Sequence, residues 1–118
     1  MSDSTRLSQI DTLLAKFNSD RNWEQYHNPR NLAMALSVEA AELLELFLWS
    51  SDHGPQPPVS GREQDVADEA ADVLICLLNF CRTMNIDLLE ATKKKIEKNA
   101  LKYPIEKSAG KLEKHHEL

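Results

Sequence analysis

Turn-forming and aromatic residues are scarce in this sequence. Among 118 residues there are three Gly, five Pro, two Trp, two Tyr and three Phe. β-Sandwiches and barrels need many turns and many aromatic or β-branched strand residues, so the composition argues against both. The hydrophobic fraction of 42% and the charged fraction of 28% are typical of a globular protein. We therefore expect a single all-α domain.

Positive charge is also in short supply. Fourteen Lys and Arg stand against nineteen Asp and Glu, which gives a formal net charge of −5. A protein that binds the phosphate backbone of DNA or RNA needs a basic surface. We therefore expect no polymeric nucleic acid as a partner.

Long hydrophobic runs are absent, and cysteine is rare. The longest unbroken apolar run extends from Val73 to Leu78, well short of the ~20 residues that cross a bilayer. The first twenty residues lack the apolar core of a secretory signal. Cys76 and Cys81 are five positions apart, which on one helix directs them to different faces and disfavours a disulfide. These features predict no membrane partner and a reducing, cytoplasmic location.

Four segments carry helix signals. The first repeats apolar residues every three or four positions, the second opens with Asn-Pro, and the last two open with capping-box spacing. The predicted helices cover residues 5–18, Pro29 to about Trp49, a segment capped by Ser60 that runs to about Met84, and a segment capped by Asp87 that stops before Pro104. We expect one domain over residues 1–104 and a charged, flexible tail over 105–118, in which His115-His116 is solvated rather than metal-binding.

Acidic residues recur at intervals of three on the second and third predicted helices, which places them on one face of each helix. They are Glu39, Glu42 and Glu45 on the second helix, and Glu69 and Asp72 on the third. Between Arg30 and Arg82 the sequence holds nine acids and one base, Arg62. Side-chain cations therefore cannot neutralise the acidic faces.

This excess of carboxylates predicts a cation site. Removing a carboxylate from water costs several kcal/mol even after relaxation. Neighbouring carboxylates also repel one another, so either their pKa values rise or a cation binds. Oxygen ligands without Cys or His favour magnesium, manganese or calcium over zinc, and magnesium commonly accompanies phosphate substrates. We therefore expect Mg²⁺ between the two acidic helix faces.

Two other classes of protein fit parts of this pattern. A non-catalytic helical interaction scaffold would carry the same acids on a solvated helix face. A carboxylate-bridged di-iron bundle needs Glu-x-x-His on two helices, whereas none of the four predicted helices carries the pattern, and Glu24 with His27 lies between the first two. Metal-assisted phosphate chemistry accounts for the uncompensated acids, so an enzyme is the preferred interpretation.

Lysines and aromatic residues supply groups that suit a nucleotide. From Arg82 onward nine Lys or Arg stand against six acids. Lys95, Asn99 and Lys102 share one helix face through spacings of four and three. We expect this face to bind a polyphosphate. The side chains suited to stacking on a base are Trp23, Tyr26, His27 and Trp49. Core packing is the alternative interpretation of Trp49.

The order of these motifs resembles the MazG-like nucleoside triphosphate pyrophosphohydrolases, and within them the dCTP pyrophosphatase branch. The motifs are Glu39-x-x-Glu42 followed by Glu69-x-x-Asp72, then the segments 21–32 and 45–49, and Lys102-Tyr-Pro104. Together they extend over roughly residues 10 to 104. The resemblance implies a four-helix MazG-like bundle assembled as a homo-oligomer, either a dimer or a tetramer formed by two dimers. Oligomerisation is also expected because the second helix is too apolar for one small unit to cover.

The resemblance also implies an activity. The chain would hydrolyse dCTP, or a modified dCTP, to the monophosphate and pyrophosphate, as a nucleotide-pool house-cleaning enzyme. Glu39, Glu42, Glu69 and Asp72 would be its catalytic magnesium ligands, with Glu39 as general base and Glu45 as the outer candidate for that role. A dUTP or broad-range nucleoside triphosphate pyrophosphatase of the same fold is the alternative.

A substrate site follows from the same resemblance. The nucleoside pocket would comprise Trp23, Glu24, Tyr26, His27, Trp49 and Cys76, and the residues near the phosphates would be Lys95, Asn99, Lys102 and Tyr103. Two positions depart from the pattern of the branch. Leu14 stands where the branch has a histidine, and Cys76 stands where it has a tyrosine.

Overall fold

The computed structural model describes residues 3–48 and 61–117. Its α-helices are α1 (Asp3–Asp20), α2 (Pro29–Glu45), α3 (Glu63–Thr83), α4 (Leu88–Lys102) and the short α5 (Ile105–Ser108), and single 3₁₀ turns cover Glu24–Tyr26 and His115–Glu117. No strand occurs within the described ranges, and the all-α class is confirmed. None of the helices described is both long and apolar enough to cross a membrane.

Local capping sets the starts of α2 and α4 where the sequence predicts them. The Asn28 side chain accepts a hydrogen bond from the Asn31 N–H at 2.8 Å, and Pro29 occupies the first turn of α2. Asp87 accepts from the Glu90 N–H at 3.1 Å at the start of α4. Each cap satisfies an N–H group that has no partner within its helix.

The predicted end of the second helix is wrong. α2 ends at Glu45 rather than near Trp49. After Leu44 the backbone tightens into three-residue hydrogen bonds, with the Phe47 N–H donating to the Leu44 carbonyl at 2.9 Å and the Leu48 N–H to the Glu45 carbonyl at 3.2 Å. The apolar pattern continues through this turn, so the pattern alone could not locate the helix end. Trp49 lies outside the described residues.

The predicted start of the third helix is also wrong. The N-cap of α3 is Arg62, and the helix begins at Glu63, whereas the capping-box spacing predicts a helix capped by Ser60. Gly61 has a φ of 83°, a conformation that glycine adopts without strain, and its N–H donates to the Glu63 carboxylate at 3.2 Å. This contact ties Glu63 to the residue two positions before it. Ser60 and the rest of the Pro-rich segment lie outside the described residues.

The chain divides into two compact units, residues 1–85 and residues 86–118. In the first unit α2 packs along α3, and α1 contacts α3. Among the residues that the structure describes, the buried apolar ones are Leu14, Leu32, Leu78 and Cys81. On α2, by contrast, Met34, Val38 and Leu44 are 57%, 56% and 61% exposed, so this helix leaves much of its apolar surface uncovered.

The second unit contains α4, α5 and the chain as far as residue 117. Tyr103 is half-buried and packs edge-on against His115, with ring centroids 5.8 Å apart. His115 and His116 are exposed. Residues 105–117 hold one short α-helix and one 3₁₀ turn, which the irregular sequence of this segment did not predict.

Candidate active site

The two acidic motifs face each other where α2 packs against α3. Glu39, Glu69 and Asp72 each contribute one carboxylate oxygen to a group in which the three oxygens lie within 4.8 Å of one another. All three residues are half-buried, as is Glu42, whose carboxyl group interacts with both Glu39 and Glu69. Of the five acidic residues spaced three apart, the fold thus brings four together and leaves Glu45 outside. We call these four residues the carboxylate cluster.

Burial and mutual repulsion raise pKa values in the carboxylate cluster. For Glu39 and for Glu69, loss of hydration is the largest cause of the raised pKa, and the neighbouring Glu42 and Asp72 raise it further. The same charges reach Cys76, where burial and then Glu39, Asp72 and Glu42 raise the pKa of the thiol. None of the ion pairs formed by the described residues includes a member of the cluster. The negative charge is therefore uncompensated by protein cations in this part of the chain.

The chemistry of the donor set fits a hard divalent cation. Glu39 Oε2 and Glu69 Oε2 are enclosed by protein and have no hydrogen-bond partner, an arrangement that costs free energy for a charged group. Carboxylate oxygens are the ligands that Mg²⁺, Mn²⁺ and Ca²⁺ prefer. A cation held among these oxygens would offset both the lost hydration and the repulsion. Glu45, the outer candidate for general base, is exposed and lies outside the group of three oxygens.

An open cleft of about 460 Å³ adjoins the carboxylate cluster within the first unit. Its lining combines apolar side chains of α1, α2 and α3 with Trp23 and His27 from the segment that joins α1 to α2. Cys76 lines the cleft one helical turn after Asp72 and so connects it to the carboxylates. A concave, mostly apolar surface with a few polar groups is typical of a small-molecule site.

The turn that ends α1 places Trp23 at the cleft. Asn22 has a φ of 55°, in the left-handed region that asparagine tolerates better than most residues. The Trp23 N–H donates to the Asn18 carbonyl at 3.0 Å, and the Asn22 N–H donates to the Ser19 carbonyl at 3.0 Å, which are the paired bonds of a Schellman motif. The indole then packs edge-on against Phe17, with ring centroids 5.5 Å apart.

Only some of the other predicted substrate residues line the cleft. His27 lines the cleft together with Trp23, whereas Glu24 and Tyr26 are exposed and do not line it. Trp49 falls outside the described residues. The residues predicted near the phosphates belong to the second unit and are Lys95, Asn99, Lys102 and Tyr103. The first three of these side chains are exposed.

Sequence reasoning missed two asparagines of the cleft. Asn18 and Asn79 are buried and line it, and Asn18 Nδ2 donates to Asn79 Oδ1 at 3.0 Å. Arg82 Nη1 donates to the same oxygen at 3.0 Å, and Arg82 forms an ion pair with Asp11. Each asparagine interrupts the apolar stripe of its helix, and this interruption was the signal available in the sequence.

The chain has relatives of known name and structure. Residues 34–118 match the model of the MazG-like family. The dCTP pyrophosphatase 1 of Mus musculus is 40% identical over 114 residues, which cover 95% of this chain and 67% of that protein. The proteins of the same name from Homo sapiens and Bos taurus are 40% and 39% identical, over 95% and 99% of this chain and 67% and 70% of their own lengths.

A solved structure has the same fold. The crystal structure of a pyrophosphatase from Archaeoglobus fulgidus matches with a TM-score of 0.79 and 42% sequence identity, covering 84% of this chain and 93% of that chain. The names of the relatives and of this structure agree with the family that the two acidic motifs suggest. This chain belongs to the MazG-like family, in the branch that includes the dCTP pyrophosphatases.

Proposed function

We propose that this protein is a magnesium-dependent nucleoside triphosphate pyrophosphohydrolase that converts dCTP, or a modified dCTP, to the monophosphate and pyrophosphate. The enzyme class, a nucleoside triphosphate pyrophosphatase, follows from the named relatives. The observation that carries the proposal is the group of three carboxylate oxygens within 4.8 Å of one another. Such a group is costly to keep unless a divalent cation binds it.

In this proposal the residues of the cluster bind the metal, and one of them accepts a proton. Glu39, Glu42, Glu69 and Asp72 would hold Mg²⁺, which when bound supplies positive charge to the phosphates and activates water for attack. Glu39 is the residue to which we assign the proton of the attacking water, accepted at its carboxylate.

The cleft residues bind the nucleoside. Trp23 and His27 offer ring faces or edges for stacking on the base, and the apolar side chains around them exclude water. The lysines of α4, with Asn99 and Tyr103, are assigned to the phosphates on the evidence of motif and charge alone. Lys95 and Lys102 would contribute positive charge where the leaving pyrophosphate becomes more negative.

The choice of dCTP is supported by the relatives, which are named for that substrate. A dUTP or broad-range nucleotide pyrophosphatase is the second candidate because two cleft residues depart from the pattern of the branch. Leu14 and Cys76, at the positions where the branch has histidine and tyrosine, both line the cleft. Both side chains are less polar than the ones they replace, and the thiol is much smaller than a phenol ring, so they alter the surface against which a base would pack.

The test is a panel of natural and modified deoxynucleoside triphosphates with Mg²⁺, in which pyrophosphate and orthophosphate are measured separately. We expect pyrophosphate and the monophosphate as first products, with dCTP as the preferred natural substrate. Orthophosphate as the first product would mean cleavage of a different bond and would overturn the proposal. A preference for dUTP would favour the second candidate.

We also propose that the chain assembles as a homo-oligomer, either a dimer or a tetramer formed by two dimers. The exposed Met34, Val38 and Leu44 of α2 support this assembly, because apolar side chains spaced along one helix favour burial against another chain. Light scattering at micromolar concentration should give a mass of at least two chains. A monomer under those conditions would remove the proposal. The house-cleaning role and the cytoplasmic location stay predictions from the sequence.

A further inference from the structure

Two amide side chains lie in the mostly apolar lining of the cleft. Asn18, near the end of α1, and Asn79, in α3, are 2% and 6% exposed, and they are the buried polar residues of the described chain. Both line the cleft. Burying an amide costs free energy unless its donors and acceptors find partners. Packing alone therefore does not account for this pair.

A chain of hydrogen bonds fixes the orientation of each amide. Arg82 Nη1 can only donate, so the Asn79 atom that lies 3.0 Å from it must be the carbonyl oxygen. That oxygen also lies 3.0 Å from the Asn18 side chain, which must therefore donate through Nδ2. Arg82 is held in turn by Asp11, through an ion pair and through a hydrogen bond of 3.2 Å to the Asp11 carbonyl. Since a guanidinium keeps its charge in proteins, neither amide can flip without losing a bond.

This arrangement leaves one donor and one acceptor for a ligand. Among the described residues, Asn79 Nδ2 and Asn18 Oδ1 have no hydrogen-bond partner. The enclosed, unpartnered side-chain atoms of the described chain belong to Glu39, Glu69 and Ser108, so neither amide atom is sealed inside the protein. Both atoms therefore keep some exposure, on residues that line the cleft.

We propose that Asn18 and Asn79 read the hydrogen-bonding edge of the nucleobase, with Asn79 Nδ2 donating to it and Asn18 Oδ1 accepting from it. The inference rests on the proposed function and names the specificity-determining residues within it. Cytosine presents such an edge, because its ring N3 accepts next to an exocyclic amino group that donates. Arg82 and Asp11 act as positioning residues that hold the amides in register for this contact.

The test compares kcat/KM for the preferred natural triphosphate with kcat/KM for a difluorotoluene deoxynucleoside triphosphate, which has the shape of a pyrimidine nucleotide and no strong hydrogen-bonding edge. A site made to hydrogen-bond its substrate rejects an analogue that lacks those groups. We expect the wild-type protein to prefer the natural substrate by about 10- to 100-fold, the discrimination typical of a two-bond contact to a base. In the double variant Asn18→Leu/Asn79→Leu, which removes both amides together, we expect the two substrates to differ by less than about threefold.

A second variant keeps the test decisive if the double variant does not fold. Asn79→Asp retains an oxygen that accepts from Asn18 and Arg82 but replaces the donor with an acceptor. We expect it to lose most of the discrimination through a raised KM for the natural substrate, with kcat little changed. Ile75→Val, which trims an apolar residue of the cleft, is the matched control and should affect both substrates alike.

The outcomes separate the two proposals. Suppose that the wild-type protein hydrolyses triphosphates and that Asn79→Asp discriminates between the natural substrate and the analogue as strongly as the wild type. The proposal that these amides read the base is then wrong, and the proposed function stands. If the wild-type protein cleaves no nucleoside triphosphate with Mg²⁺, the proposed function is wrong and this inference falls with it.

Discussion

The carboxylate cluster and the cleft beside it belong to the same packed helices but rely on different physics. The cluster gathers half-buried negative charges whose pKa values are raised by lost hydration and by one another. The cleft is an open, mostly apolar surface, and its two buried amides carry no charge. The four cluster residues carry the motif by which the sequence resembles the MazG-like family, whereas the cleft contains Leu14 and Cys76, where we expect the chain to depart from its branch. This contrast assigns the proposed chemistry to charge and the proposed selectivity to shape and hydrogen bonding.

The largest expected effect comes from removing a cluster carboxylate. We expect Glu69→Ala and Asp72→Ala each to lower kcat by at least about 10²–10³-fold, as found for groups that stabilise charge in a transition state. Without metal, these variants should melt no lower than the wild type, because removing one of several like charges relieves repulsion. Steady-state pyrophosphate release and thermal melting measure the two effects.

A matched control for these variants lies on the same helix. Asp68 is exposed and stands beside Glu69 but outside the group of three oxygens. Asp68→Ala should therefore retain nearly full turnover. Full activity in Asp72→Ala would refute the assignment of the cluster and remove the contrast between cluster and cleft.

Changes in the cleft should act on binding more than on chemistry. We expect Trp23→Ala to raise KM by about tenfold or more, since stacking of one base on an aromatic ring contributes ~1–3 kcal/mol, while kcat changes less. Trp49→Ala should behave in the same direction if Trp49 also contacts the base. Tyr26→Ala is the control because Tyr26 is exposed and does not line the cleft. A Trp23 variant that loses kcat with KM unchanged would contradict a binding role.

Magnesium should stabilise the folded protein through the cluster. At a concentration about 100 times Kd, a ligand that binds only the folded state contributes about 2.7 kcal/mol, which amounts to several degrees in Tm for a domain of this size. Asp72→Ala should abolish most of this shift. A helical scaffold with merely solvated acids predicts no specific shift in the wild type, so this titration discriminates the enzyme from that alternative.

The smallest expected effect is on the pH dependence of stability without metal. The pKa values of Glu39 and Glu69 are raised in the folded protein, so between the ordinary value of 4.5 and the raised value the folded state binds more protons than the unfolded state. The free energy of unfolding should therefore increase as the pH is lowered through that window. Denaturant titrations of the wild type and Glu39→Gln/Glu69→Gln should show the gain in the wild type only, and saturating Mg²⁺ should suppress it because the metal requires ionised carboxylates. An identical pH dependence in both proteins would contradict the raised pKa values.

Much of the fold could be predicted because its signals are local. Asn28-Pro29 and Asp87 mark helix starts through hydrogen bonds to residues three positions later. The boundaries that failed depend on backbone geometry that the residue pattern does not encode. The 3₁₀ bonds after Leu44 end α2 inside a continuing apolar pattern, and α3 begins at Glu63 after an Arg62 N-cap.

In the candidate site, too, the features that depend on local sequence could be predicted and those that depend on packing could not. The spacing of three predicted the acidic faces of the two helices, because residues three apart share a helix face wherever the helix is placed. The resemblance to the MazG-like family then selected Glu39, Glu42, Glu69 and Asp72 and left Glu45 as an outer candidate. The residues of the cleft were predicted only in part. Trp23 and His27 line the cleft, whereas Glu24 and Tyr26 do not. Which side chains of this short segment face the cleft depends on how the helices on either side of it pack.

The sequence alone determined the all-helical class, the uncompensated negative charge and the acidic faces of two helices, because helix periodicity and charge are properties of neighbouring residues. Only the tertiary structure decided that Asn18 and Asn79, 61 positions apart, meet in one cleft, where Asn79 accepts from both Asn18 and Arg82. Such a pair depends on which faces of α1 and α3 contact each other. Packing between helices fixes that choice, and the residue pattern within either helix does not.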